Sequence, residues 1–225
     1  LLGAVNSFTA PAPDYIMDGP NSGPNKLGVS FPSDIALDVT GNRLFVADNS
    51  NDRILVYNLT TTNTIVDLNP DFVLGASNFN SASTKFSRGP SGLLFDAATQ
   101  KLFASDFDNR VLIYDVTSIV NNEDPVQVLG QPNLTALSST TTQSGVSFPQ
   151  RMAYDSAGKR LFLVDSGNNR VLIFNVTSIT NGQNAVNVLG QASFTSNIAA
   201  ISQSGMSFPS GVAYDATGNR LFVSE

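Results

Sequence analysis

The 225-residue chain has no cysteine, no histidine and no tryptophan, and only two glutamates and four lysines. Without cysteine or histidine there are no disulfides, no thiol nucleophile, no imidazole base and no Cys/His zinc site. No apolar run reaches the roughly 18 to 20 residues that cross a bilayer as a helix, so no membrane insertion is expected within this segment. No charged start followed by an apolar stretch reads as a signal peptide. With 12 basic against 18 acidic side chains the net charge is −6, and most arginines recur at repeated positions rather than in a stripe. A phosphate backbone has nothing to track, and nucleic acid is not expected as a partner.

What is present favours strands and turns. Asp outnumbers Glu by sixteen to two and Asn reaches 23, a turn-rich bias because these short side chains bond their own nearby backbone. Internal repetition is the strongest signal. FPSDIALDVTGNRLFVADNSNDRILVYNL begins at Phe31, RGPSGLLFDAATQKLFASDFDNRVLIYDV at Arg88, FPQRMAYDSAGKRLFLVDSGNNRVLIFNV at Phe148 and FPSGVAYDATGNRLFVSE at Phe208. A shorter VLG motif falls between the copies, at Phe72, Gln127 and Asn187, with LLGAVNSF at the start as a further copy. Each full copy holds three short apolar runs, and the VLG run supplies a fourth. The second and third runs are apolar on both alternating faces, as in Leu161 to Val164, so their sheets must be covered on both sides. Radially stacked four-stranded antiparallel sheets satisfy that demand, and the expected class is an all-β propeller.

The turns between the runs have their own chemistry. Asp38, Asp155 and Asp215 stand three residues before Gly41, Gly158 and Gly218, as in a type I turn, whereas Asp96 meets Thr99. In the next turn Asp48, Asp106 and Asp165 precede Arg53, Arg110 and Arg170, which predicts an ion pair or a backbone cap at the blade edge. The same turns carry Asn49 and Asn51, Asp108 and Asn109, and Asn168 and Asn169, as candidates for a binding face. Their oxygens could hold Ca²⁺, but no copy has the Asp-x-Asp-x-Asp-Gly order of a local calcium loop, so turn formation is the preferred role. The Asp at each first turn is likewise read as structural rather than as an acid/base pair. Phe79 and Phe194, in the connections after VLG, either meet a partner or staple their loops, and stapling is expected. No catalytic, cofactor or metal residue is assigned.

The order Pro-x-Gly-Val-Ala-x-Asp, then Gly-Asn-x-Leu-Phe-Val, then Asn-x-Arg-Val-Leu, clearest in Pro209 to Val223 and Asp165 to Phe174, resembles the NHL repeat. The resemblance implies a propeller whose Pro-containing strand is innermost and whose VLG strand is outermost. Such propellers commonly act as binding platforms, and a few relatives are lyases or lactone hydrolases. The expected layout is an incomplete arc of three full blades and two partial ones. An outer strand falls near residues 1–8 and full blades near 29–76, 87–131 and 146–191, with a partial blade near 206–225. The function expected is a non-enzymatic binding or scaffold module for a protein or glycan partner, at the cell surface or outside the cell. Two alternatives are a metal-assisted lyase or lactonase with catalytic residues elsewhere, and a surface protein that self-associates through exposed blade edges.

Overall fold

A computed structural model describes residues 24–225 apart from Ala82, so the strand expected near residues 1–8 lies outside the described residues. The described chain is almost all strand and turn. Blade 1 is a four-stranded antiparallel sheet of β1 (Pro32–Asp38), β2 (Arg43–Asp48), β3 (Arg53–Asn58) and β4 (Phe72–Leu74), hydrogen-bonded in sequence order. Blade 2 follows the same order with β5 (Pro90–Asp96), β6 (Lys101–Asp106), β7 (Arg110–Asp115) and β8 (Gln127–Leu129). Blade 3 repeats it with β9 (Pro149–Asp155), β10 (Arg160–Asp165), β11 (Arg170–Asn175) and β12 (Asn187–Leu189). A two-stranded hairpin, β13 (Gly211–Asp215) and β14 (Arg220–Ser224), ends the order. In each full blade the Pro strand is one edge of the sheet and the VLG strand the other.

The register explains why both faces are apolar. In blade 1 Leu44 opposes Tyr57 and Val46 opposes Leu55 on one face, while Phe45 opposes Val56 and Ala47 opposes Ile54 on the other. Directly opposed residues of an antiparallel pair share a face, so each face gathers a contiguous apolar patch. The chain divides into two compact units, Leu1–Lys101 with Asp115–Asp124, and Leu102–Tyr114 with Pro125–Glu225. In the first, β5 packs on β1 and β2. Phe45 stacks on Phe95 at 5.8 Å, Ser33 Oγ donates to the Pro90 carbonyl at 2.7 Å, and Asp34 Oδ2 accepts the Leu93 N–H at 2.9 Å. In the second, Phe162, Val164, Val171 and Ile173 form a core closed by Val212, Tyr214, Leu221 and Val223 of the hairpin. Phe162 stacks on Tyr214 at 5.2 Å.

The first turn of each blade differs in one respect from a glycine-closed type I turn. Asp38 Oδ1 accepts the Gly41 N–H at 2.7 Å, and Asp155 and Asp215 hold Gly158 and Gly218 in the same way at 3.0 Å. The left-handed residue is the one after the glycine: Asn42, Lys159 and Asn219 have φ of 53°, 52° and 49°, and Gln100 of blade 2 has 53°. The glycine is required by space instead. A Cβ on Gly41, Gly158 or Gly218 would lie 2.1, 2.3 or 2.5 Å from the carboxylate Oδ2 of its own turn. That same Oδ2 binds Arg43, Arg160 or Arg220. Blade 2 solves the turn differently: the Thr99 hydroxyl donates to Asp96 at 2.6 Å, and Lys101 pairs with Asp115 at 2.7 Å.

Gly158→Ala is therefore expected to destabilise the protein by about 1–3 kcal/mol through overpacking. Lys159→Gly, which removes left-handed strain at the cost of chain entropy, should stay within about 0.5 kcal/mol of wild type. Chemical denaturation of the two variants checks this, and the reverse order would place the strain at the glycine.

Candidate functional site: the latched end of each blade

At one end of every full blade an aspartate closing the second strand faces an arginine opening the third. Asp48 pairs with Arg53, and Asp165 with Arg170, as directly opposed residues of the ladder. Arginine Nε donates to the aspartate Oδ2 at 2.7 Å in blade 1, 2.8 Å in blade 2 and 2.6 Å in blade 3. Both partners are wholly buried in blades 1 and 3. Burying two ions is costly unless their remaining hydrogen-bonding capacity is met, and here the backbone meets it. Arg53 Nη1 donates to the Phe79 carbonyl at 2.5 Å, and Nη2 donates to the carbonyls of Asn25 and Gly28 at 2.9 and 2.8 Å. Arg170 does the same with Phe194 at 2.5 Å and with Thr142 and Gly145, both at 2.9 Å. Arg110 reaches the Leu134 carbonyl at 2.6 Å. In blades 1 and 3 one guanidinium thus ties the connection entering the blade to the connection leaving it.

The carboxylate is used as fully. Asp48 Oδ1 accepts the Ser30 N–H at 2.7 Å, Asp165 Oδ1 accepts the Ser147 N–H at 2.6 Å, and Asn51 and Asn168 each donate to their aspartate at 2.9 Å. The β13–β14 hairpin keeps the pattern with a longer acid: Glu225 accepts the Ser207 N–H at 2.6 Å. Blade 2 has a turn one residue shorter and lacks the 3-10 turn that Asn49–Asn51 and Ser166–Asn168 form. There Asp106 accepts the Asp108 N–H at 2.9 Å, and Asp108 brings a second carboxylate to 3.9 Å from Arg110. Burial raises the pKa of Asp48 and Asp165, with the paired arginine opposing it. Asp106 is pushed up to about 7 by burial first, Arg110 pulling it down and the Asp108 charge adding to the rise.

The residue before each arginine is left-handed: Asp52, Asn109 and Asn169 have φ of 54°, 63° and 53°. Asn109 Oδ1 accepts the Phe148 N–H at 3.0 Å, and Asn169 Oδ1 accepts the Phe208 N–H at 2.8 Å. Their amide nitrogens donate to the carbonyls of Leu137 and Asn197, and their own carbonyls accept from Gln131 and Gln191. Each asparagine thereby fixes the residue that precedes Pro149 or Pro209. That residue is itself unusual. Phe31, Phe148 and Phe208 have φ of 48°, 47° and 48°, and they are 68%, 45% and 66% exposed. Blade 2 has Gly89 at this place, with φ of 68°. A Cβ there would come within 2.0 Å of the Asn49 carbonyl oxygen.

The side chains proposed from sequence as a binding face are consequently not available to a partner. Asn51, Asp108, Asn109, Asn168 and Asn169 are buried, and the half-buried Asn49 donates to the Pro90 carbonyl at 2.9 Å. Their short polar side chains are used internally because the turn must satisfy carbonyls and amides from two connections at once. Asp48, Asp106 and Asp165 already hold a guanidinium, which Ca²⁺ would have to displace, and among the described residues no three acidic groups gather. Phe79 and Phe194 are half-buried, and their carbonyls serve the arginines. The exposed aromatics Phe31, Phe148 and Phe208 carry a sequence signal in hindsight: Phe-Pro in three copies against Gly-Pro in the fourth.

An NHL repeat model matches residues 29–57, which is blade 1 from its entering connection through β3. That stretch of the first blade is similar to the NHL repeat. The fold of the chain is that of NHL-type β-propellers. A chain of the nidogen/laminin complex is similar at 21% identity and a TM-score of 0.57, over 88% of this chain and 56% of that one. A structural genomics protein of unknown function from Bacteroides thetaiotaomicron is similar at 18% identity and a TM-score of 0.56, over 86% of this chain and 44% of that one. The chain thus spans about half the length of these structures. No curated protein matches it by sequence. Among the described residues no helix is long and apolar enough to cross a membrane.

Removing one latch arginine isolates its contribution. Arg170→Met leaves Asp165 buried without its counter-ion and should cost about 3–5 kcal/mol, whereas Arg170→Met combined with Asp165→Leu should recover most of that loss. Denaturant titration of the two variants reads both values, and a single-variant loss below about 1 kcal/mol would contradict the latch.

Proposed function

We propose that the protein is a non-enzymatic binding module that meets a protein or glycan partner, at the cell surface or outside the cell, with the latched ends of its NHL-type blades. The exposed phenylalanines carry this reading. A bulky residue at positive φ is disfavoured by about 1–2 kcal/mol, and glycine avoids that strain. Gly89 meets the same backbone requirement in blade 2, so the conformation itself does not call for an aromatic ring. Phe31 and Phe208 nevertheless place rings there largely in solvent, while the Phe148 ring, 45% exposed, lies 6.0 Å from that of Phe107, and Asn109 and Asn169 hold the Phe148 and Phe208 backbone. Aromatic residues, phenylalanine among them, are enriched at protein interfaces relative to the rest of the surface. The nidogen/laminin complex, in which a similar propeller chain stands beside a second protein, lends support to a protein partner.

The test exploits the glycine of blade 2. The triple variant Phe31→Gly, Phe148→Gly and Phe208→Gly should unfold within about 1 kcal/mol of wild type, because strain is relieved while chain entropy is lost. On glycan and extracellular-protein arrays it should lose the ligands that wild type retains. Undiminished array binding, or a variant that no longer folds, would show that the rings serve the fold rather than a partner.

A further inference from the structure

The connections that leave blades 2 and 3 differ at a few places, and the difference opens a pocket. In blade 3 Gln191 donates from Nε2 to the Asn169 and Ile198 carbonyls at 2.8 and 2.9 Å, and its Oε1 accepts the Ser196 hydroxyl at 2.8 Å and the Ile198 N–H at 3.1 Å. In blade 2 Gln131 donates in the same way to the Asn109 and Ser138 carbonyls at 2.6 and 2.8 Å. Its Oε1 has no such company. Ala136 stands in the place of Ser196 and brings no hydroxyl, and among the described residues nothing donates to the Gln131 oxygen. Gln131 is nevertheless only 2% exposed.

Gln131 lines a pocket of about 330 Å³, at the small end of the range for ligand sites. The other polar groups are Ser138, Thr140 and Ser144, whose hydroxyls bond no other described residue, and Pro132 and Ala136 give the pocket an apolar side. No charged side chain lines it. Where blade 2 has Ser138 and Thr140, blade 3 has Ile198 and Ala200. The walls are held in place: Gly130 and Gly145 form a parallel bridge, Arg170 donates to the Gly145 carbonyl at 2.9 Å, and Asn168 donates to the Thr140 carbonyl at 3.0 Å. Gly182, on the connection between β11 and β12, closes in so far that a Cβ there would lie 3.2 Å from the Pro132 Cα. All of these residues belong to the second compact unit.

We propose that this pocket binds one neutral sugar unit, with a sugar hydroxyl donating to Gln131 Oε1, further hydroxyls exchanging hydrogen bonds with Ser138, Thr140 and Ser144, and a C–H face of the ring against Pro132 and Ala136. The lining selects the class. A secluded acceptor among hydroxyls calls for a ligand with several O–H groups. An anion would find no cation here and a cation no carboxylate, while an apolar ligand would leave Oε1 and three hydroxyls unpaired. A pyranose carries hydroxyls on its rim and C–H groups on its faces, which is the pattern the pocket presents. The site shares no residue with the exposed phenylalanines, so it goes beyond the surface proposed above.

Methyl glycosides of glucose, galactose, mannose and N-acetylglucosamine are titrated into the isotope-labelled 225-residue chain, with the side-chain amide of Gln131 and the N–H groups of Ser138 and Thr140 as reporters in the NMR spectrum. At least one glycoside should shift these signals saturably, with a Kd on the order of 1 mM. The double variant Ala136→Ser with Ser138→Ile gives blade 2 the residues that blade 3 carries at the same places, so the fold should persist while affinity falls by about tenfold or more. Thr140→Ala, again the blade 3 residue, should weaken binding without touching Gln131. Shifts that stay linear with every glycoside overturn the proposal, and so does an affinity unchanged in both variants. The triple phenylalanine-to-glycine variant should bind these sugars as wild type does, so failure of either reading leaves the other standing.

Discussion

The buried aspartate–arginine pair is the constraint on which the rest of each blade depends. Isolated, it would be a poor bargain, since two ions leave water for one contact. Its value lies in the fan of backbone carbonyls around the guanidinium. Arg53 and Arg170 each collect oxygens from two connections far apart in sequence, while the carboxylate takes an amide from the entering connection and a side-chain amide from the turn. Connections rich in Ser, Thr, Asn and Gln could not bury enough apolar surface to order themselves. The latch orders them, and with them the residue ahead of the first strand.

Blade 2 shows what is fixed and what can vary. It keeps Asp106 and Arg110 but shortens the turn, adds Asp108, puts Thr99 in place of a glycine and Gly89 in place of a phenylalanine. The sheet order is unchanged. Burial raises the Asp106 pKa to about 7, and the neighbouring Asp108 charge adds to the rise against the pull of Arg110. What does not change is the left-handed residue ahead of the first-strand proline, whether glycine or phenylalanine.

Much of this was legible in the sequence because repetition fixes periods and turns. The four-stranded blades and the Asp–Arg turns follow from runs of both-face apolar residues punctuated by Asp, Asn and Gly, and the strand order from the resemblance to the NHL repeat. The fate of the polar turn residues was not legible. Asn109 and Asn169 look like surface turn formers until the connections they bond are in place, and those bonds link residues 28 to 39 positions apart. Nor can pattern alone show that Gly41 and Gly158 are set by a nearby carboxylate rather than by φ. Nor does an apolar side chain type foretell that Phe148 and Phe208, at positive φ before proline, stand 45% and 66% exposed.

The central claim is that the latch, rather than the sheets alone, orders the connections and the phenylalanines they carry. Amide hydrogen exchange at single-residue resolution tests it directly. The account predicts that the N–H groups of Ser30, Ser147, Phe148 and Phe208, all bonded to turn side chains, are protected like those of the central strands, for example Leu163 and Leu172. Exchange of these four amides at the rate of the exposed turn around Thr62 would contradict it.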